Sequence, residues 1–247
     1  MHSAVRLIAA GALHEGHKEK LRAGIEIRLD KGWKTYWRYP GDSGVPPRFD
    51  FTRSENVKTV MVKWPAPHRY ADDDGQSIGY KDAVILPLSI EPAEAGKPVR
   101  LRLDLDYAIC ERLCVPAEGK AELVLSSGRT SYDAALAAAE ARVPRPGKLG
   151  ENSALAIRAV QRDPDGRVVV DLVVPKDADA QTDLFAEGPT PEWALPLPEP
   201  VPEAPPGIRR FAFALDGLPP GAKAAGAVLT LTAVAGESAI EVVYRLD

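Results

Sequence analysis

The two cysteines of this 247-residue chain, Cys110 and Cys114, are the residues whose type and spacing point most directly to chemistry. They lie in the stretch Tyr-Ala-Ile-Cys-Glu-Arg-Leu-Cys-Val-Pro, so a bond between the two sulfurs would close a very short loop. Loop-closure entropy makes such a disulfide worth about 2 kcal/mol, against about 4.7 kcal/mol for a loop of 100 residues. Because so small a stabilisation matters little to a chain of this length, the spacing favours a redox-active pair.

Thiol–disulfide exchange needs an accessible sulfur that reacts as a thiolate and a second sulfur that resolves the mixed disulfide. Cys110 and Cys114 can supply both, and between them Arg112 would favour a thiolate whereas Glu111 would oppose it. The spacing is not the C-x-x-C of thioredoxin and no βαβ pattern surrounds it, which excludes a thioredoxin-type enzyme but not a partner of one. Two alternatives stay open: an inert structural disulfide, and a copper-binding module whose two thiolates hold a soft ion such as Cu(I).

Other metal sites are not indicated by the remaining residues. A structural zinc site would need four ligands, and the histidines of the chain are His2, His14, His17 and His68. His14 and His17 lie in a polar N-terminal stretch and His68 lies beside prolines, so we expect solvated residues. No metal or other cofactor is predicted.

Two segments contain side chains that could shield the sulfurs. In the aromatic stretch from Gly32 to Gly44, Trp33 and Trp37 are predicted to pack in the core, whereas Tyr36 and Tyr39 could border the cysteines. The stretch from Trp64 to Tyr80 would be either a solvated loop or a lid over the cysteines. Its candidate shielding residues are Tyr70, Asp72, Asp73 and Asp74. This acidic run lacks the spaced ligands and closing glutamate of a calcium-binding loop.

Hydrophobic alternation predicts an all-β fold. The cleanest period-2 pattern runs from Val99 to Tyr107 and could pair with Ala121 to Leu125, which would place the cysteines at the end of a hairpin. Several short strands separated by Pro and Gly turns are typical of a β-sandwich. Other predicted strands are 21–29, 57–63, 83–90, 154–161, 167–174, 209–215, 227–234 and 239–246. The proline-dense segment from Glu187 to Gly207 is expected to follow the surface in extended form.

The chain is predicted to form two sandwich domains. Residues 1–128 would form the first and residues 151–247 the second, with residues 129–150 between them. That connection contains one helix, from Ser131 to Arg142, with Ser131 as a possible N-cap, followed by a Pro/Gly linker.

Composition excludes some classes of function. The net charge is -4 and lysine and arginine are scattered, unlike the clustered basic surface of a nucleic-acid-binding protein. No segment reaches the 18 or so apolar residues needed to cross a bilayer. Val5 to Leu13 is short and interrupted by Arg6, so it does not match a signal peptide. The chain is either cytosolic or the exported part of a larger protein, and the cysteine pair favours export.

Four motifs, taken together, resemble the N-terminal periplasmic domain of the DsbD family of thiol:disulfide interchange proteins, and most closely its ScsB branch, the suppressor-of-copper-sensitivity membrane reductases. The motifs are Gly32-Trp-Lys-Thr-Tyr-Trp-Arg-Tyr-Pro-Gly-Asp-Ser-Gly44, Trp64-Pro-Ala-Pro67, Ile78-Gly-Tyr80 and Tyr107 through Pro116. They cover roughly residues 20 to 125. The cysteine spacing is shorter than in the better-known DsbD domain and suits the ScsB-like branch.

This resemblance implies an immunoglobulin-like domain with one reversible disulfide, located in the periplasm. It implies that Cys114 forms mixed disulfides with partners, that Cys110 resolves them, and that Tyr70 to Gly75 occupy the position of a cap loop. The implied electron donors are a membrane domain and a thioredoxin-like domain of the same polypeptide. The implied recipients are thioredoxin-like periplasmic proteins, including disulfide isomerases, peroxiredoxins or cytochrome-maturation proteins.

Overall fold

The protein consists of two compact units, Met1–Val143 and Pro144–Asp247. The computed structural model describes residues 2–15, 18–42, 44–72, 75–125, 130–175, 181–202 and 204–247. Both units are built from β-sheets, with one short helix in the described part of the chain, so the all-β prediction is confirmed.

Two antiparallel sheets form the first unit. Its strands are β1 (Ser3–Glu15), β2 (Lys18–Leu29), β3 (Lys34–Gly41), β4 (Arg48–Asp50), β5 (Val57–Val62), β6 (His68–Asp72), β7 (Gly75–Lys81), β8 (Ala83–Pro92), β9 (Val99–Cys110) and β10 (Cys114–Leu125). One sheet has the order β1-β2-β8-β5. The other has the order β10-β9-β3-β7-β6, with β4 also pairing with β9. The second of these sheets positions the cysteines, because they end β9 and begin β10.

Strand β9 shows how alternation builds the core of the first unit. Val99, Leu101, Leu103 and Leu105 are each at most 1% exposed, whereas the residues between them are charged. The predicted pairing with β10 is confirmed, with Leu123 opposite Leu101. The charged residues lie on the other face of the sheet, since successive side chains of a strand point to opposite faces. That outer face also carries Cys110, which shares the even-numbered positions of β9.

The helix α1 (Asp133–Ala141) packs on the first unit rather than standing between two domains. Leu136 is fully buried, and a Cβ at Gly24 would lie 3.0 Å from its Cδ1, so the helix lies against β2. Arg22 pairs with Glu140, and Asp133 accepts the backbone N–H of Gly11. The N-cap is Tyr132, not the predicted Ser131. No helix among the described residues has the length and apolar character that crossing a bilayer requires.

The second unit is also built from two sheets. Its strands are β11 (Arg145–Pro146), β12 (Ala156–Arg162), β13 (Val168–Val173), β14 (Thr182–Glu187), β15 (Glu199–Val201), β16 (Ile208–Phe213), β17 (Val228–Ala235) and β18 (Ser238–Arg245). The sheet orders are β11-β18-β17-β14 and β12-β13-β16-β15. The run Asp163-Pro-Asp-Gly166 predicts a hairpin turn between β12 and β13. This turn is present, and in it Asp163 accepts the backbone N–H groups of Asp165 and Arg167.

The sequence predicted that the proline-dense segment of the second unit follows the surface, but part of this segment is buried. Trp193, Leu195 and Leu197 are 5%, 3% and 7% exposed, and the first two belong to the core of this unit. The correction has a simple cause, because apolar side chains at alternate positions of an extended segment share one face. That face is buried at Trp193, Leu195 and Leu197.

Candidate redox site

Cys110 and Cys114 form a disulfide at the turn end of the β9–β10 hairpin. They are direct partners in the strand register, with their Cα atoms 4.2 Å apart. This separation matches the closely spaced, non-hydrogen-bonded pairs of antiparallel sheets, whose side chains lie near each other on the same face. Only Glu111, Arg112 and Leu113 separate the two strands. The short spacing noted in the sequence is therefore a tight turn that holds the sulfurs in bonding position.

The two sulfurs differ in accessibility. Cys110 is 5% exposed, whereas Cys114 belongs to an exposed run that begins at Glu111. Exchange requires in-line approach of an external thiolate to one sulfur of the disulfide, so access selects the sulfur that is attacked. In this structure Cys114 is the more exposed of the two cysteines.

Tyr36 contacts the accessible sulfur. Its hydroxyl lies 2.9 Å from Cys114 Sγ. A sulfur in a disulfide carries no hydrogen, so the hydroxyl is the donor. Tyr36 is 2% exposed and packs with Ala108 and Cys110 on the outer face of the sheet. The phenol ring thus covers the buried sulfur while its hydroxyl reaches the exposed one.

The position of Tyr36 follows from an interruption in strand pairing. β3 pairs with β9 only through Lys34 and Thr35, opposite Cys110 and Ile109, and β4 resumes the pairing at Asp106. Ala108 lies in the interval, where its carbonyl accepts the Thr35 hydroxyl at 2.9 Å. This bond satisfies a buried acceptor that lacks a strand partner at that level. The small Ala108 side chain leaves room for the ring of Tyr36.

A turn after β3 covers the other side of Tyr36. A Cβ at Gly44 would lie 2.6 Å from Tyr36 Cδ1, so the backbone of the turn touches the ring. Asp42 fixes the turn to β7, because its N–H donates to the Gln76 carbonyl and its carboxylate accepts the Gln76 N–H. Sequence reasoning placed the cap at residues 70–75 and gave no covering role to this turn. The signal was present in the run Pro40 to Gly44, whose Gly-rich composition permits close backbone approach.

Lys34 is a second residue that sequence reasoning missed. It is 3% exposed and is the direct cross-strand neighbour of Cys110. Its ammonium donates to Ser77 Oγ at 2.9 Å. The signal in the sequence was its period-2 spacing from Tyr36, which places both side chains on the face that carries the cysteines.

The predicted cap stretch forms a β-hairpin rather than a loop. Tyr70 in β6 pairs with Ser77 in β7, and the Lys81 ammonium lies 4.6 Å from the centre of the Tyr70 ring. Burial raises the pKa of the Tyr70 phenol, so it is neutral at physiological pH. Asp72 pairs with Gly75 through its backbone, and its side chain, like Asp73 and Asp74 as a whole, lies outside the described residues.

The remaining aromatic residues of the candidate site divide between core and surface. Trp37 is fully buried, as predicted. Trp33 is only partly buried and stacks on His2, with ring centroids 4.1 Å apart, so the prediction of core packing is wrong for this residue. Tyr39 is partly buried and lies where the register of β3 with β7 is irregular.

Copper binding by the two thiolates stays a prediction. In the structure both sulfurs are engaged in the disulfide, and a thiolate pair would form only on its reduction. Within the described ranges, no three side chains of histidine, cysteine, aspartate or glutamate converge as they would around a metal ion.

Comparison with known proteins identifies the first unit. Residues 5–126 match the family described as "Thiol:disulfide interchange protein DsbD, N-terminal". The first unit belongs to the DsbD N-terminal domain family. The structure is similar to the N-terminal periplasmic domain of ScsB from Proteus mirabilis, with a TM-score of 0.70 and 18% sequence identity. That alignment covers 99% of this chain and 91% of the ScsB domain. No curated protein matches the chain.

Membership of the DsbD family and the geometry of the disulfide both indicate thiol–disulfide chemistry. The family activity is thiol:disulfide interchange, an oxidoreductase activity, and the chain contains a disulfide with one exposed sulfur. The immunoglobulin-like, all-β fold expected from the resemblance is confirmed by the likeness to the ScsB domain.

Tyr36→Phe is expected to slow exchange at Cys114 by up to about tenfold. The variant removes one hydroxyl that donates to this sulfur, and a typical hydrogen bond contributes about 0.5–1.5 kcal/mol net. The measurement is the rate at which the reduced protein reacts with glutathione disulfide. Tyr107→Phe is the matched control, because its hydroxyl bonds to Ser3 Oγ at 2.6 Å instead of to a cysteine. Equal rates for Tyr36→Phe and wild type would show that the Tyr36 hydroxyl has no role in exchange.

Proposed function

We propose that the protein is a periplasmic thiol–disulfide exchange module that relays two electrons through the reversible Cys110–Cys114 disulfide. In this role it is the protein-disulfide reductase domain of a longer membrane reductase. The membrane domain and a thioredoxin-like domain of the same polypeptide supply the electrons. Thioredoxin-like periplasmic proteins, such as disulfide isomerases or peroxiredoxins, receive them.

The single observation that best supports this proposal is the difference in exposure between the two sulfurs. A relay needs one sulfur that partners can reach and another that partners cannot reach. Cys114 is exposed at the start of β10, whereas Cys110 is 5% exposed beneath the ring of Tyr36. An inert clip would need no such difference.

The proposed reaction proceeds in two reversible steps in each direction. During reduction of the module, a donor thiolate attacks Cys114 Sγ, the Cys110–Cys114 bond breaks, and Cys110 leaves as a thiolate that takes up a proton. The second donor thiolate then attacks the donor sulfur of the mixed disulfide, and Cys114 leaves with the electron pair. During reduction of a client, Cys114 attacks the client disulfide and one client cysteine leaves as a thiol. Cys110 then attacks Cys114 Sγ, which restores the disulfide and releases the reduced client.

We propose that several residues shield the site. Tyr36 is proposed to shield Cys110 and to orient Cys114, since it contacts both. Tyr39, Tyr70 and the acidic residues Asp72, Asp73 and Asp74 are proposed to border the site when a partner is absent. The β6–β7 hairpin would then act in place of the cap loop of the DsbD family.

We also propose that the two units are separate domains. The first would include helix α1, because Leu136 is buried against Gly24, and the second would begin near Pro144. Each unit has a set of buried apolar residues of its own, which is the property expected of a domain that folds independently. The redox chemistry would belong to the first domain.

The reduction potential of the Cys110–Cys114 pair tests this proposal. We expect a value between those of thioredoxin and protein disulfide isomerase, about -270 to -180 mV. The measurement equilibrates the protein with glutathione redox buffers, and mass spectrometry then counts the alkylated thiols. A pair that stays oxidised in every buffer, with a potential below about -300 mV, would identify an inert structural disulfide instead.

A further inference from the structure

Lys34 is a buried cation that the packing of the first unit does not require. It is 3% exposed, and an ammonium group loses its hydration at a large cost in free energy when it is buried. Strand β7 places Lys81 directly opposite Lys34, although like charges directly opposite each other destabilise a sheet. An apolar side chain at position 34 would avoid both costs, so we looked for a function of the charge.

The strand register brings this lysine to the level of the disulfide. Cys114 in β10 lies opposite Cys110 in β9, and Cys110 lies opposite Lys34 in β3. Side chains that are directly opposite share a face of the sheet, with Cβ atoms about 4.5–5.5 Å apart. Because the lysine stem is long and flexible, its ammonium can reach a charge that forms on the neighbouring sulfur.

We propose that the ammonium of Lys34 stabilises the thiolate of Cys110 when the disulfide opens. This inference rests on the proposed function, because it assigns a further residue to the same exchange reaction. In the oxidised protein the sulfur carries no charge, and the ammonium donates to Ser77 Oγ at 2.9 Å. In the reduced protein the thiolate attracts the ammonium. Lys34 acts through Cys110 and is therefore a positioning residue.

The ammonium acts on the same sulfur in both directions of exchange. When a donor thiolate attacks Cys114 Sγ, a new bond joins the donor sulfur to Cys114, the old bond breaks, and its electron pair passes to Cys110 Sγ. In the reverse reaction Cys110 attacks Cys114 Sγ as a thiolate and the donor sulfur leaves with the electron pair. Lys34 keeps its proton throughout. Stabilising the thiolate makes Cys110 a better leaving group, and it also increases the ionised fraction available for attack.

Burial gives Cys110 a need for such a cation. It is 5% exposed and packs with Tyr36 and Ala108. Apolar surroundings disfavour the thiolate and raise the pKa of a thiol, whereas a nearby positive charge lowers it. Solvent screens a buried charge much less than an exposed one, so a buried lysine opposes the effect of burial more strongly than a surface lysine would.

The other charged groups close to Cys110 are less suited to this role. Glu111 and Arg112 in the turn are both exposed, opposite in charge and screened by water. Lys81 is exposed, and its ammonium lies 4.6 Å from the centre of the Tyr70 ring. Burial raises the pKa of the Tyr70 phenol, so this group is neutral at physiological pH.

Charges farther along the same face provide no net positive charge. Arg48, Asp106 and Glu118 share one level of the register, four residues from Cys110 along β9. The Asp42 carboxylate in the turn after β3 accepts the N–H of Gln76. These groups include three carboxylates and one cation, so their sum would not favour a thiolate.

The test measures the acid dissociation of Cys110 in proteins that carry Cys114→Ser, in which Cys110 is the single cysteine of the chain. The NMR chemical shift of the Cys110 Cβ carbon is followed as a function of pH. Lys34→Met removes the charge and keeps the length of the side chain, and Lys34→Gln also keeps a donor for Ser77. Lys34→Arg retains the charge. Lys81→Met is the matched control, because it removes an exposed lysine from the same level of the sheet.

We expect both neutral variants to lower the acid dissociation constant of Cys110 about tenfold, which corresponds to about 1.4 kcal/mol. Lys34→Arg and Lys81→Met should change it by no more than about twofold. In the protein with both cysteines, Lys34→Met should slow opening of the disulfide by dithiothreitol about threefold, since a less acidic thiol is a poorer leaving group. Denaturant unfolding of each variant confirms that the measured protein is folded.

A measurement that needs no substitution of Lys34 accompanies the variants. In the Cys114→Ser protein, the chemical shift of the Lys34 Cε carbon should change with pH at the same midpoint as that of Cys110 Cβ. A Lys34 signal that does not respond to ionisation of Cys110 would overturn the inference, even where a neutral variant fails to fold.

Two further results would overturn the inference and leave the proposed function intact. One is an unchanged acid dissociation constant in the folded neutral variants. The other is a decrease of equal size in Lys34→Arg, because the shape of the side chain rather than its charge would then be the cause. Failure of dithiothreitol to reduce the wild-type disulfide would instead overturn the proposed function, and with it a role of Lys34 in exchange.

Discussion

Cys110→Ser is expected to turn the protein into a trap that holds its partner on Cys114. The variant can still form a mixed disulfide through the exposed sulfur, but it lacks the thiolate that attacks Cys114 Sγ and releases the partner. An intramolecular attack by a group held in position has an effective molarity of about 10⁵ M or more. We therefore expect resolution of the mixed disulfide to slow by at least about 10³-fold. Non-reducing gel electrophoresis with mass spectrometry would detect the trapped species.

Cys114→Ser is the matched control for this trap. Cys110 is 5% exposed, and the Tyr36 ring packs against it. A partner thiol or disulfide therefore has poor access to Cys110, so we expect no mixed disulfide with this variant. Equal trapping by the two variants would contradict the assignment of Cys114 as the partner-facing residue. Catalytic reduction of client disulfides by Cys114→Ser would contradict it as well.

Gly79→Ala is expected to lower the free energy of unfolding of the first unit by about 1–3 kcal/mol and to disturb the redox site at the same time. Gly79 in β7 pairs with Tyr36 in β3. A Cβ at this position would lie 2.0 Å from the Thr35 carbonyl oxygen, which is a backbone atom with little freedom to move. The two strands must then separate, which displaces Tyr36 from Cys114. The same variant should therefore slow reduction of the disulfide or change its potential.

Denaturant unfolding together with the glutathione equilibration would measure both effects of Gly79→Ala. Gly147→Ala is the control, because its Cβ would approach only side-chain atoms, the nearest of which is Val242 Cγ2 at 3.3 Å. We expect Gly147→Ala to leave the potential of the cysteine pair unchanged. Unchanged stability and an unchanged potential in Gly79→Ala would show that β3 and β7 approach each other less closely at Tyr36.

Local patterning in the sequence was enough to determine the hairpin that carries the disulfide. Alternation from Val99 to Tyr107 predicted β9, and its predicted pairing with Ala121 to Leu125 placed both cysteines at the end of the hairpin. Both predictions depend only on interactions between residues close in sequence or directly opposite in register. The same reasoning identified the turn at Asp163 to Gly166 in the second unit.

Packing between distant segments was not visible in the sequence. The helix was predicted within a connection between domains, but Leu136 is buried against Gly24, a contact across more than 100 residues. The proline-dense segment was expected on the surface, but it buries Trp193 and Leu195 in the second core. In both cases composition described the backbone of the segment correctly, and tertiary contacts decided which side chains were buried.

The sequence by itself determined which residues carry the redox chemistry and that they lie at the end of a β-hairpin. Only the tertiary structure decided that Cys114 is exposed, that Cys110 is buried, and that Tyr36 is the aromatic residue that touches both the exposed sulfur and its buried partner. The physical reason is that β3 is about 70 residues from the cysteines in the chain and reaches them only through sheet pairing. The pairing of β3 with β9 stops after Thr35, and this interruption creates the space in which Tyr36 lies.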